Sequence, residues 1–142
     1  LKGKAAVAQA KLAYQAFRRV FSGPRWEALA AQGARVQRPL WASTSTKNPA
    51  YPDTLYVDEL IGPDSLNTLP DATVDAFADH GTVARRVDVD VDEAERVWAA
   101  LPAVGIDLDD VAERLETEGL SSFQKSFDEL LAALDAKAAD LR

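Results

Sequence analysis

Cysteine and methionine are both absent from this 142-residue sequence, and histidine occurs once. Without thiols there is no disulfide framework and no zinc site of the thiolate kind, which fits a reducing, cytoplasmic setting. No apolar run approaches the roughly 18–20 residues of a membrane span. No segment has the basic, apolar, small-residue order of a signal peptide. A glycine-rich phosphate loop of the nucleotide-binding kinds is also missing, which disfavours a nucleotide ligand. With no methionine, and with Leu1 opening directly into a helical pattern, the expectation is a chain cut or processed from something longer.

What is present is ordinary globular material. Apolar residues make up 47% and charged residues 27%, which argues against disorder and for one compact domain with a hydrophobic core. The charge is unevenly spread. Residues 1–50 carry nine Lys/Arg against the single acid Glu27, and residues 51–142 carry seven against 22. A basic first third points either to an anion partner, such as a small phosphorylated metabolite, or to two halves that attract each other. The net charge of −7, with no basic run interleaved with aromatics, argues against nucleic acid.

Apolar spacing predicts a helix over Lys4–Phe21, with Ala6, Ala10, Ala13, Phe17 and Phe21 on one stripe,. A short helix follows over Arg25–Gln32, ended by Gly33. Arg38–Ser43 reads as a strand that spills into a polar loop, Ser43-Thr44-Ser45-Thr46-Lys47. A short helix over Thr54–Ile61, a strand over Ser65–Leu69 and a helix over Asp71–Asp79, closed by His80-Gly81, come next. This alternation argues for parallel βα units. Two strands alone make a poor parallel sheet, because such sheets are covered on both faces. The rest is expected to be helical: Val91–Ala103, Leu108–Glu118 and Ser122–Leu141. Val87, Val89 and Val91 alternate as in a brief edge strand. Asp90 with Glu93, and Ser121 with Gln124, have capping-box spacing. The stripe Phe123, Phe127, Leu130, Leu134, Ala138 and Leu141 is expected to pack on something.

The hydroxyl-rich loop is the main candidate site. Four hydroxyls and the Lys47 ammonium at a strand end suit a phosphate held by charge-assisted hydrogen bonds; a plain polar loop is the alternative. His80, before a glycine at a helix end, suits a surface position. Asp107, Asp109 and Asp110 lack calcium-loop spacing and fit a helix start, as do Asp88, Asp90 and Asp92. Trp26, Trp41 and Trp98 suit core or interface anchors. Lys2, Lys4 and Lys11 look like solvated helix-face residues, and Lys125 and Lys137 sit in polar stretches. A Schiff base needs a buried lysine of lowered pKa, and none of these reads as a buried strand lysine.

The stretch Gln37-Arg38-Pro39-Leu40-Trp41-Ala42-Ser43-Thr44-Ser45-Thr46-Lys47-Asn48-Pro49 resembles the transaldolases. So does its continuation, Tyr51-Pro52-Asp53-Thr54-Leu55-Tyr56-Val57-Asp58-Glu59-Leu60-Ile61-Gly62-Pro63. Asn67-Thr68-Leu69-Pro70, Glu118-Gly119-Leu120 and Phe123 are similar to the longer bacterial branch of that family. The resemblance runs along essentially the whole chain, with Arg38–Pro70 its specific block.

The resemblance implies a (β/α)8 barrel that transfers a dihydroxyacetone unit between sugar phosphates in the non-oxidative pentose phosphate pathway. A lysine Schiff base carries the transfer, with no metal and no cofactor. It makes Arg38–Ser43 the seventh strand and Ser65–Leu69 the eighth. Ser45 and Lys47 match the serine and basic residue that hold the substrate phosphate. Many relatives carry arginine at the second position, and a lysine lacks its bidentate fork. The Schiff-base lysine and the acid–base carboxylates belong to earlier strands, so no catalytic residue is expected within this chain.

The fold class expected is therefore α/β, the C-terminal portion of a (β/α)8 barrel with its last two strands, followed by C-terminal helices and mostly helical as it stands. Residues 1–80 would form the last βα units and residues 81–142 a helical extension on the same barrel, one domain overall. The expected partners are a sugar phosphate and the N-terminal part of the same barrel, with no nucleic acid and no membrane. The chain alone is expected to be inactive, since a barrel takes about 250 residues. The competing expectations are a non-catalytic helical interaction module and a stand-alone phosphate-binding fragment.

Overall fold

A computed structural model describes residues 1–141 and divides the chain into two compact units, residues 1–100 and residues 101–142. The first unit holds helices α1 (Ala5–Val20), α2 (Gly23–Ala30), α3 (Leu55–Asp58), α4 (Asp71–His80) and α5 (Val91–Ala100). It also holds strands β1 (Leu40–Trp41) and β2 (Leu66–Asn67), which pair in parallel with Leu40 opposite Leu66 and Trp41 opposite Asn67. The helix–strand alternation is as the sequence predicts, but both strands are shorter. Pro39 has no N–H to give a ladder, Ser43 turns out of the strand with φ 56°, and Asp64 does the same before β2 with φ 56°.

Helix α1 organises the first unit. Its buried residues are Ala8, Lys11 and Tyr14, not the expected stripe, since Ala6 and Ala13 are exposed. Ala8 packs with Ala94 and Val97 of α5, with Leu12 beside them. Small side chains at that contact let the two helices approach closely. Tyr14 packs with Leu60 and Val87, flanked by Ala10, Phe17 and Trp41, and donates from its hydroxyl to the Pro63 carbonyl at 3.0 Å.

Lys11 corrects the sequence reading most sharply. It is 5% exposed, and its ammonium donates to Glu59 Oε2 at 3.1 Å and to the Val89 carbonyl at 3.1 Å. Arg86 Nη2 donates to the other oxygen of Glu59 at 3.0 Å. A buried charge needs such partners, and they lie 48 and more residues away along the chain, out of reach of any helical-wheel argument.

Residues 87–91 form no strand. The Arg86 and Val87 N–H groups both donate to the Ile61 carbonyl, Val89 N–H turns back to the Arg86 carbonyl, and Asp90 has φ 55°. The Asp90–Glu93 capping box is replaced by outward ion pairs of Glu93 with Lys4 at 3.3 Å and Arg96 at 3.1 Å. Helix α5 ends at Ala100 rather than Ala103, because Pro102 cannot donate to the preceding turn.

The second unit has a short 3-10 turn, Pro102–Val104, closed by Gly105 at φ 83°. One 33-residue helix, α6 (Leu108–Asp140), follows, where two helices were expected. Gly119 costs a helix only about 1 kcal/mol, and strong helix formers flank it. Asp107 caps the start by accepting from the Asp109 and Asp110 N–H groups. Gln124, expected in a capping box, instead donates to Asp128 at 2.9 Å. No residue of α6 is buried. The apolar stripe predicted to pack is bare, with Phe123 81% and Leu134 55% exposed. Among the described residues, no helix is long and apolar enough to cross a membrane.

A Cβ on Gly62 would stand 2.1 Å from Val87 Cγ1, against a side chain that is 0% exposed. Gly62→Ala should therefore cost about 1–3 kcal/mol, read from urea unfolding. For Glu59, burial pushes the carboxyl up, but the hydrogen bonds from Lys11 and Arg86 outweigh it and hold it below the ordinary 4.5. The stability this supplies is complete above that value and is lost as pH falls through the lowered folded pKa. Glu59→Gln should flatten that acid limb; an unchanged acid dependence of the urea midpoint would refute the assignment.

Candidate functional site

The hydroxyl-rich loop leaves the end of β1 and divides into two kinds of residue. Thr44 is buried and donates from Oγ1 to Asn67 Oδ1 at 2.7 Å, with the Thr68 carbonyl at 3.3 Å. It ties the loop to the end of β2. Thr46 Oγ1 donates to the Pro52 carbonyl at 2.9 Å, with the Asp53 carbonyl at 3.3 Å. These two hydroxyls are occupied holding the loop. Asn48 adds an Asx turn, accepting from Ala50 N–H at 2.9 Å,.

Ser45 and Lys47, the two residues singled out as phosphate ligands, come together. The Lys47 ammonium donates to Ser45 Oγ. Lys47 is exposed and Ser45 half-buried. No carboxylate pairs with Lys47 among the described residues. Two ammonium N–H groups and the Ser45 hydroxyl proton thus remain to be given to an anion. Both residues line an open cleft of about 460 Å³, whose apolar side includes Ala6, Ala10, Trp41 and Leu60. Ala6 and Ala10 belong to the stripe read from α1, so part of that stripe faces the cleft rather than a core. Trp41 Nε1 is buried without a hydrogen-bond partner. A second pocket, about 260 Å³, includes Lys4, Lys11, Glu59 and Glu93, but each of those ammonium groups already faces a carboxylate.

The remaining candidates are structural in this geometry. His80 is a surface residue with Nε2 at 2.8 Å from Asp53 Oδ1 and Nδ1 at 3.0 Å from Asp79 Oδ2. The bond to Asp53, then that to Asp79, holds His80 above its usual value. His80 in turn holds Asp53 below the usual carboxylate range. Asp107, Asp109 and Asp110 form the start of α6. Asp88 does not start a helix; it accepts from Arg85 Nε at 2.9 Å and pairs with Arg18 at 3.6 Å. Trp26 stacks edge-on against Phe21 at 4.8 Å, as an anchor does. Among the described residues, no group of His, Asp and Glu is placed to hold a metal ion.

The family model described as Transaldolase/Fructose-6-phosphate aldolase matches residues 1–134. The chain belongs to this family. It is 54% identical to a transaldolase of Frankia alni over 94% of this chain and 36% of that protein. It is 49% identical to one of Trichodesmium erythraeum over 99% of this chain and 38% of that protein. A transaldolase of Neisseria meningitidis serogroup A is 52% identical over 94% and 38%. The chain thus spans little more than a third of the length of these transaldolase relatives.

Thr44 and Ser45 sit side by side in this loop and should behave differently. Thr44→Val removes the donor to the half-buried Asn67 Oδ1 and should cost about 1 kcal/mol. Ser45→Ala should stay within about 0.5 kcal/mol of the parent. Thermal unfolding of the two variants reads the difference, and equal losses would contradict the division of the loop.

Proposed function

We propose that this chain supplies the substrate-phosphate grip and the closing helices of a transaldolase barrel. The enzyme it belongs to transfers a dihydroxyacetone unit between sugar phosphates through a lysine Schiff base. The observation that carries the reading is the convergence of Ser45 and Lys47 at the end of a parallel strand, on a loop pinned on both sides by Thr44 and Thr46. Ligand sites of parallel βα folds lie at the carboxyl ends of the strands, and donors held on a pinned loop need little ordering when the anion arrives. Lys47 gives this grip a point charge rather than the bidentate fork an arginine would offer.

The Schiff-base lysine is supplied by other parts of the barrel. Five of the six lysines are exposed. Lys11, the buried one, is bound to a carboxylate and a carbonyl and stands on a helix. A nucleophilic amine must instead be free of its proton and open to the substrate carbonyl. The two-stranded sheet leaves Leu40 52% and Leu66 40% exposed, whereas parallel sheets are covered on both faces. The N-terminal part of the same barrel is the partner that fits those strands.

The bare apolar stripe of α6 favours a second reading, a non-catalytic module that works by binding another protein. Light scattering separates the two: self-association blocked by Phe123→Ser with Leu134→Ser favours the module, and a monomer at all concentrations counts against it. For the leading reading, the chain alone should bind inorganic phosphate measurably by calorimetry, and Lys47→Ala should weaken this at least about tenfold. It should show no transaldolase turnover and no borohydride-trapped ketose phosphate. Turnover by the isolated chain would defeat the assignment of catalysis elsewhere. Phosphate binding that ignores Lys47→Ala would defeat the grip.

A further inference from the structure

Lys47 and Ser45 flank Thr46, so their mutual position depends on where Thr46 is held. Thr46 is held by carbonyls, those of Pro52 at 2.9 Å and Asp53 at 3.3 Å. Asp53 lies in the turn before α3 and has no helix to fix it. Its carboxylate is fixed from outside, by His80 Nε2 at 2.8 Å. His80 is the last residue of α4, and its other ring nitrogen faces Asp79 Oδ2 at 3.0 Å. A continuous line of contacts therefore runs from the end of α4 through His80, Asp53 and Thr46 to the two phosphate donors.

The chemistry of this line depends on protonation. Ionised carboxylates only accept hydrogen bonds, and a neutral imidazole has one N–H to donate. Two carboxylates on two ring nitrogens are both satisfied only by the imidazolium. Losing its proton removes the ring's positive charge, so the Asp53 contact weakens to a bond from a neutral donor in one tautomer and opens in the other. The charged groups facing the ring are Asp79 from α4 and Asp53 from the loop. The nearby Asp58 of α3 is engaged elsewhere, accepting from Thr82 N–H at 3.0 Å and from Thr54 Oγ1 at 2.8 Å.

We propose that His80 is a positioning residue for the Ser45–Lys47 grip, acting through Asp53 and Thr46, and that the grip is tightest while the imidazole is doubly protonated. The inference rests on the phosphate-binding reading of Ser45 and Lys47. Two hydrogen bonds to carboxylates raise the proton affinity of the ring. The clamp is therefore closed below and through the usual histidine range and opens as pH rises past the raised value.

The test uses the full 142-residue chain and inorganic sulfate, an oxyanion that stays fully ionised throughout the histidine range. NMR follows the His80 ring protons and the backbone amides of Ser45, Thr46 and Lys47, and calorimetry follows sulfate affinity. Expected is one shared midpoint for the ring and the loop amides, with sulfate affinity falling about three- to tenfold through it. His80→Ala should show the weaker affinity at every pH and no titration of the loop. Asp53→Asn, which keeps the Thr46-accepting carbonyl, should lose the pH dependence too. A purely structural histidine would move the melting temperature without moving the pH profile. Loop amides that ignore the His80 titration, or His80→Ala that keeps the parent affinity and profile, would overturn the proposal. If the parent binds no sulfate while its loop amides still follow His80, the phosphate reading fails and the coupling stands. If sulfate binds and Lys47→Ala abolishes it but the loop ignores His80, the coupling alone fails.

Discussion

The ammonium of Lys11 holds together three stretches that lie far apart in the chain: α1, the turn after α3 at Glu59, and the bend at Val89 that leads into α5. Removing Glu59 would leave the buried Lys11 ammonium with no counter-charge, which costs more than the net worth of the pair. Arg86 completes the arrangement from the opposite oxygen of Glu59. Apolar contacts fill in on either side, Ala8 with Ala94 and Val97 on one flank and Tyr14 with Leu60 and Val87 on the other. These fix how α1 lies, and with it the Ala6 and Ala10 side of the cleft that Ser45 and Lys47 face.

The loop after β1 divides its labour in a way that composition hides. Four hydroxyls and a lysine in a row look equivalent on paper. In the fold, Thr44 and Thr46 spend their protons on the chain itself, whereas the Ser45 hydroxyl proton and two of the three Lys47 ammonium protons stay available,. Distant partners decide which hydroxyls are spent: Thr44 meets Asn67 at the end of β2, and Thr46 meets the carbonyls of Pro52 and Asp53 before α3. Ser43, at φ 56°, turns the chain out of β1 just ahead of these residues. Left-handed geometry at a residue other than glycine is uncommon, and it is retained here where the strand hands over to the site.

Local signals were read well and non-local ones were not. The first and fourth helices, the alternation of helices with two short parallel strands and a helix start at Asp107 were legible from the chain. The buried stripe of α1 was misjudged because Ala6 and Ala13 look as apolar as Ala8. The Val87–Val91 alternation resembled a strand because nothing local reports that the Ile61 carbonyl accepts from both Arg86 and Val87. The break expected at Gly119 failed because one glycine does not stop a helix with strong formers on both sides.

The sequence by itself determined the family, through the Arg38–Pro70 block, and the parallel βα character, through its punctuation by glycine, proline and hydroxyl residues. These are properties of neighbours within a few positions, where backbone sterics and short-range hydrogen bonds act. The tertiary structure alone decided that Lys11 is buried rather than solvated, which two of the four hydroxyls are free, and that His80 reaches Asp53 across 27 residues. Each of these depends on a charge or a donor meeting a partner that is distant in the chain, and such meetings exist only once the helices have packed.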